Sequence, residues 1–84
     1  MKTILEAVKD ADEVEVDALF ALLKYKSIGI LRKLKCMALV LDINEETVLN
    51  EAPKDKEGRI LDHETRHAIH NELIIISKQY QKNK

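Results

Sequence analysis

Residues 27–51, SIGILRKLKCMALVLDINEETVLNE, hold two helical patterns separated by a short break. In the first pattern the apolar residues recur at helical spacing and predict one core-facing arc: Ile30, Leu31, Leu34, Met37, Ala38 and Leu41. Ser27 is expected to cap this helix, which would end at Leu41. Asn44 is expected to cap a second, shorter helix over residues 45–51. Two helical patterns joined by a tight break predict a helical protein.

The segments before and after this pair also carry helical patterns. Upstream, helices are expected over residues 3–9 and 13–25, and Asp12 is a suitable N-cap for the second of them. The buried stripe of that second helix would consist of Val16, Leu19, Phe20 and Leu23. Downstream, residues 52–58 are expected to form a loop, because they contain the one proline and one of the two glycines.

The last helix is expected over residues 63–79, with Asp62 as its N-cap. Its core stripe would consist of Ile69, Leu73, Ile76 and Tyr80, extended by Ala68 and Ile75. The sequence therefore predicts an all-α fold, a compact bundle of four to five short helices in a single domain that spans residues 1–84. A frayed basic tail is expected over residues 81–84.

The composition narrows the function classes. The net charge is −1, only one cysteine is present, and no apolar run approaches the ~20 residues of a membrane span. A single cysteine cannot form an internal disulfide, so we expect a reducing, cytoplasmic location and no membrane partner. The sequence contains no glycine-rich phosphate loop, no Ser-His-Asp set and no Cys-x-x-Cys motif. We therefore expect no catalytic residues, no cofactor and no enzymatic activity.

The charges are separated along the chain. Residues 10–17 hold five acids and no base, and residues 24–35 hold five bases and no acid. The bases are Lys24, Lys26, Arg32, Lys33 and Lys35, and we expect them to contact the phosphates of duplex DNA. The same pattern is also typical of solvated helix faces, or of head-to-tail association between an acidic and a basic patch.

Residues 34–51 match the spacing of a DNA-reading helix-turn-helix corner. The positions that carry the match are Ala38, Asp42, Ile43 and Val48. Within this corner the candidate DNA-reading residues are Asn44, Thr47 and Asn50. Two features oppose this interpretation, since Asp42 stands where glycine is preferred and the second helix carries three glutamates that repel phosphates. Any helical corner of a small α domain can share this spacing.

Residues 63–67 read HETRH and match the HExxH pattern of zinc metalloproteases, in which two histidines bind the metal and the glutamate activates its water. His63, His67 and His70 fall on one side of the last helix. The sequence offers no third ligand and no strand to hold a substrate, so we expect no metal site and treat these histidines as weak candidates. On a polar helix face near Ile74, they would make an interface sensitive to pH between about 5 and 7.

Residues 51–80 resemble the C-terminal part of some phage terminase small subunits. A polar loop is followed by the residues that carry the resemblance: Asp62, His63, Thr65, Arg66, Ala68, Leu73, Lys78 and Tyr80. The resemblance implies an all-α, ring-forming viral protein that recognises the viral DNA and passes it to the packaging motor. A phage-encoded protein of this kind would work in the host cytoplasm.

Leu39, Val40 and Ile74 fall outside the core arcs of their helices and predict an interface that forms a homo-oligomer. The leading interpretation is therefore a small, non-enzymatic, self-associating protein that binds nucleic acid, of the kind used in phage DNA recognition or packaging. The alternative is a protein-interaction module or inhibitor that binds a protein partner through residues 10–17. A zinc hydrolase that uses the HExxH pattern is a third, remote hypothesis.

Overall fold

The helices follow the apolar periodicity of the sequence closely. The computed structural model describes residues 2–82, and within that range the chain forms five helices. In chain order they are α1 (Ile4–Lys9), α2 (Glu13–Lys24), α3 (Ile30–Leu41), α4 (Glu45–Glu51) and α5 (Asp62–Lys82). The predicted all-α bundle is confirmed. Gln81 and Lys82 of the predicted basic tail continue α5, and residues 83 and 84 lie outside the described range.

The expected N-caps Asp12 and Asn44 are present, and Thr3 provides a further cap, for α1, that the sequence analysis places inside the helix. The Thr3 hydroxyl accepts a hydrogen bond from the Glu6 amide at the start of α1, at 3.1 Å. Asp12 and Glu15 form a reciprocal capping box, in which each carboxylate accepts the backbone N–H of the other residue. Asn44 caps α4 by accepting the Thr47 amide at 2.9 Å. Each cap satisfies an N–H that has no partner inside its helix.

Two predicted caps are wrong. Ser27 lies in the turn between α2 and α3, and α3 begins at Ile30 with Gly29 at the N-cap position and no side-chain cap. The chain uses residues 25–29 to reverse between two helices that pack together, so α3 starts later than a Ser27 cap would require. Asp62 lies inside the first turn of α5, because the Thr65 amide donates to the Leu61 carbonyl at 3.0 Å.

The turn between α3 and α4 forms without glycine. Asp42 adopts the left-handed conformation, with φ 54° and ψ 50°. The Ile43 amide donates to the Ala38 carbonyl at 3.0 Å and the Asp42 amide to the Leu39 carbonyl at 3.3 Å, the hydrogen-bond pair of a Schellman motif. Aspartate tolerates this conformation better than most residues do. The predicted corner at residues 34–51 is therefore present as two packed helices joined by a short turn.

The core lies where α1, α2, α3 and α5 meet, and α4 contributes Val48 to it. Its buried members are Val8, Ala11, Val16, Leu19, Leu34, Met37, Ala38, Val48, Ile69, Leu73 and Ile76. Tyr80, near the end of α5, donates a hydrogen bond from its hydroxyl to the Ala11 carbonyl between α1 and α2. Within residues 2–82, no helix combines the length and apolar content that crossing a membrane requires.

Three residues predicted to face the core are exposed instead: Leu31, Ala68 and Ile75. On α3 the covered face is shifted away from Leu31 towards Lys33 and Val40, because α2 packs on that side. On α5 the contacts come chiefly from α1 and α2, so they cover a narrower stripe than the one predicted.

Candidate functional site

A groove between α2 and α5 brings Lys24 of the basic segment next to the histidines of the last helix, the first of which, His63, lies 39 positions later in the sequence. Its volume is about 250 Å³. The residues that line this α2–α5 groove are Phe20, Leu23, Lys24, His63, Arg66, His67 and His70. Lys24 comes from the predicted basic segment and the histidines come from HETRH and its continuation. The Arg66 guanidinium also pairs with the Asp62 carboxylate one turn earlier, so part of the groove's positive charge is neutralised.

The three histidines of the groove make ring contacts. The rings of His63 and His67 stack with centroids 6.0 Å apart and an interplanar angle of 16°. His70 meets the ring of Phe20 edge to face, with centroids 5.8 Å apart. Among the described side chains, no three His, Cys, Asp or Glu residues are arranged to hold a metal ion. The HExxH glutamate, Glu64, is exposed.

The predicted phosphate-binding residues divide into two groups. Lys33 is only 5% exposed, and its ammonium donates to the Leu23 carbonyl at 3.1 Å, so it ties α3 to α2 and does not belong to a basic surface. Lys35 lies 3.8 Å from the Glu45 carboxylate. Lys24, Lys26 and Arg32 are exposed. The basic surface is therefore smaller than the sequence suggests.

The candidate DNA-reading helix, α4, presents little for reading bases. The Asn44 side chain is engaged as the cap, and the Thr47 hydroxyl also donates to it at 3.3 Å. Asn50 is exposed, but so are three glutamates of this seven-residue helix. Val48 is buried and anchors α4 to the core. A short helix with an acidic surface is poorly suited to approach phosphates.

The acidic segment, residues 10–17, serves largely to build α1 and α2. Asp10 pairs with Lys2 at 2.8 Å, and this hydrogen bond with the charge of Asp10 raises the pKa of the Lys2 ammonium above its ordinary value. Asp12 and Glu15 form the capping box. Asp17 is exposed on α2.

A further apolar stripe, which is not among the sequence-based predictions, lies on the solvent side of α2. Val14 is 78% exposed and Tyr25, directly after the helix, is 56% exposed. With Ala18 and Ala21 they form what we call the outer α2 stripe, whose spacings of four, three and four residues match a coiled-coil seam. The spacing of these residues is visible in the sequence. However, the same helix also carries the predicted core stripe, and that stripe alone is enough to explain an amphipathic helix.

The outer α2 stripe continues towards α3. A shallow groove of about 380 Å³ lies between the two helices, and its lining is Ala18, Ala21, Leu22, Tyr25, Cys36 and Val40. Of the predicted interface residues, Leu39 is 80% exposed, whereas Val40 is half-buried and packs against the core. Ile74 is also half-buried, and its neighbour Ile75 is the exposed isoleucine of α5.

Comparison of the chain with models of protein families, with curated proteins and with solved structures finds no match. The candidate surfaces therefore have to be interpreted from their own chemistry.

Proposed function

We propose that this protein is a small, non-enzymatic binding protein that self-associates through the outer α2 stripe. The observation that carries the proposal is an apolar seam at heptad spacing on the solvent side of a helix whose other side is already buried. Val14 is 78% exposed and Tyr25 56% exposed, whereas Ala18 is half-buried where the stripe meets α3. Seams of this kind bury their apolar side chains against a second helix.

The side chains of the stripe favour an antiparallel pair of α2 helices from two copies. Ala18 and Ala21 lie at the centre, where small residues allow two backbones to approach closely. In the antiparallel arrangement Val14 of one copy faces Tyr25 of the other at each end, so a large residue packs against a medium one twice. The pair has a two-fold axis, and each copy contributes the same surface.

The charges beside the stripe agree with this arrangement. Asp17 precedes Ala18 and Lys24 precedes Tyr25, which places both charged residues on the same flank of the seam. Both side chains are exposed. In an antiparallel pair the same flanks of the two helices meet, so Asp17 of each copy lies beside Lys24 of the other. In a parallel pair the opposite flanks meet, and these two ion pairs do not form.

The experiment is sedimentation velocity over a range of protein concentrations. The proposal predicts a dimer for the native sequence and a monomer for Ala21→Glu, because the substitution places a charge in the centre of the seam. Ala68→Glu is the matched control, since Ala68 is also an exposed alanine on a helix but lies on α5. A native protein that stays monomeric at the highest concentration would overturn the proposal.

Nucleic-acid binding is the second candidate, favoured by the α2–α5 groove, where five of seven lining residues are Lys, Arg or His. Exposed Lys26 adds a further positive charge just after α2. Lysine and arginine contacts to phosphates give sequence-independent affinity that falls steeply with salt. The resemblance of residues 51–80 to terminase small subunits supports this candidate, and the recognition of viral DNA that it implies stays a prediction.

Fluorescence anisotropy with a labelled DNA duplex tests the second candidate. At low salt, Arg66→Glu should weaken binding strongly, whereas Lys56→Glu, in the loop before α5, should change it little. The absence of any binding at low salt would exclude this candidate.

The protein-interaction alternative through residues 10–17 is less well supported. Three of the five acids in this segment already take part in the cap of α2 or the pair with Lys2. Reversing their charges would alter the fold together with the surface, so Asp17→Lys is the informative variant for this alternative.

A further inference from the structure

The histidine pair at the start of α5 is a feature that self-association through α2 does not explain. His63 and His67 lie one helical turn apart, at positions i and i+4, and both side chains are exposed. Their rings are nearly parallel, with centroids 6.0 Å apart and an interplanar angle of 16°. Residues at this spacing are neighbours on one face of an α-helix, so both imidazoles line the same part of the α2–α5 groove.

The ring nitrogens of this pair are available to a ligand. Among residues 2–82, neither His63 nor His67 takes part in a hydrogen bond or an ion pair, and their ring contact is with each other. His70 differs, because its ring packs edge to face against Phe20, with centroids 5.8 Å apart. A neutral imidazole has one nitrogen that can bind a metal ion. The pair therefore offers two nitrogen ligands one turn apart.

The distance between the two rings fits the coordination of one ion. Nitrogen ligands lie about 2.0–2.1 Å from Zn²⁺, so two imidazoles on a tetrahedral ion have ring centroids roughly 5 Å apart. Rotation of two exposed side chains can close the difference of about 1 Å from the observed 6.0 Å. The helix backbone does not have to move, because Ile69 and Leu73 on the following turns are buried and anchor α5 to the core.

The charges near the pair are compatible with a bound cation. The N-terminal end of a helix carries a partial positive charge, which disfavours a cation, but the first turn of α5 contains the carboxylates of Asp62 and Glu64. The Asp62 carboxylate also pairs with the Arg66 guanidinium and balances its charge. Lys24, on the α2 side of the groove, is exposed to water, which weakens its repulsion.

We propose that His63 and His67 form a two-ligand site for a late first-row divalent metal ion such as Zn²⁺. Imidazole nitrogen suits Zn²⁺, Ni²⁺ and Cu²⁺, whereas Mg²⁺ and Ca²⁺ require oxygen ligands. Among the described side chains no group of three His, Cys, Asp or Glu residues could hold the ion, so water fills the other coordination positions. The site lies on α5 and is independent of the proposed self-association, and it includes no hydrolytic activity.

Isothermal titration calorimetry of the full chain with Zn²⁺ at pH 7.5 tests this site. One ion should bind per chain, and a titration with Mg²⁺ should show no binding. His63→Ala and His67→Ala should each weaken Zn²⁺ binding by about tenfold or more, because two linked ligands bind far more tightly than one. His70→Ala is the matched control and should leave the affinity unchanged. All three histidines are exposed, so these substitutions should not disturb the core.

The ¹H–¹⁵N correlations of the imidazole rings provide a second readout. Zn²⁺ should shift the ring signals of His63 and His67 and leave those of His70 in place. Three results would overturn the proposal. The first is a native affinity no tighter than that of His67→Ala, which would indicate adventitious binding to single histidines only. The second is an equal loss of affinity in His70→Ala, and the third is the absence of Zn²⁺-dependent shifts in the His63 and His67 rings.

Discussion

The two sides of α2 differ in what covers them, although both are apolar at helical spacing. On the inner side, Val16 and Leu19 are completely buried by other helices of the chain. On the outer side, Val14 and Tyr25 are exposed. The spacing of apolar residues predicts which face of a helix is buried. It does not predict what covers that face, because this depends on how the other helices pack. The chain covers one side itself, and we propose that a second copy covers the other.

The largest difference between the two sides should appear in the free energy of unfolding. Leu19→Ala should destabilise the monomer by about 2–5 kcal/mol, because it leaves a cavity in a close-packed core. Val14→Ala should change the same quantity by less than about 0.5 kcal/mol, since its side chain is in water. Urea unfolding at a protein concentration below the dimerisation range measures both. If both variants lost a similar free energy of unfolding, the inner and outer sides of α2 would not differ in burial as described.

A smaller loss of stability is expected from a change at the start of α2, because the N-cap stabilises the helix that carries both the inner and the outer side. Asp12→Ala should destabilise the protein by about 1 kcal/mol, because it removes the side-chain half of the capping box. Asp17→Ala is the matched control on the same helix and should cost close to nothing in the monomer. Thermal unfolding followed by circular dichroism distinguishes them, and equal melting temperatures for the two variants would mean that the box contributes no stability.

An effect of similar size distinguishes the two tyrosines, Tyr80 and Tyr25. Tyr80→Phe removes the hydrogen bond from the end of α5 to the Ala11 carbonyl and should cost about 1 kcal/mol. Tyr25→Phe changes a hydroxyl on the exposed side and should leave the monomer unchanged. Hydrogen exchange at the amides of residues 77–81 provides a second readout, since only Tyr80→Phe should accelerate it. Equal exchange in both variants would show that this hydrogen bond does not hold the end of α5.

The elements that sequence analysis predicts best are those whose signals are local. The spacing of Leu34, Met37 and Ala38 predicts α3, and the side chains of Asp12 and Asn44 predict where α2 and α4 begin, because a cap needs only the next three residues. Ser27 and Asp62 also have capping chemistry, but the turns that precede α3 and α5 determine where those helices start. Asp42 is the opposite case. The sequence counts against a tight turn there because glycine is preferred, yet Asp42 adopts the left-handed conformation and the turn forms.

The candidate sites depend on contacts between distant segments, so the sequence predicts them less well. From the sequence, Lys33 is predicted to be one of five basic surface residues. In the structure it is buried, and its ammonium donates a hydrogen bond to the Leu23 carbonyl of the preceding helix. Lys24 and the histidines of α5 come together only through the packing of α2 against α5.

The most direct test of self-association through the outer α2 stripe is an exchange of its two flanking charges, followed by sedimentation velocity. Asp17→Lys and Lys24→Asp should each weaken the dimer, because each places like charges together across the antiparallel pair. The double variant Asp17→Lys/Lys24→Asp should restore it, since the two ion pairs re-form with their signs reversed. A double variant that dimerises no better than either single variant would contradict the antiparallel α2 interface.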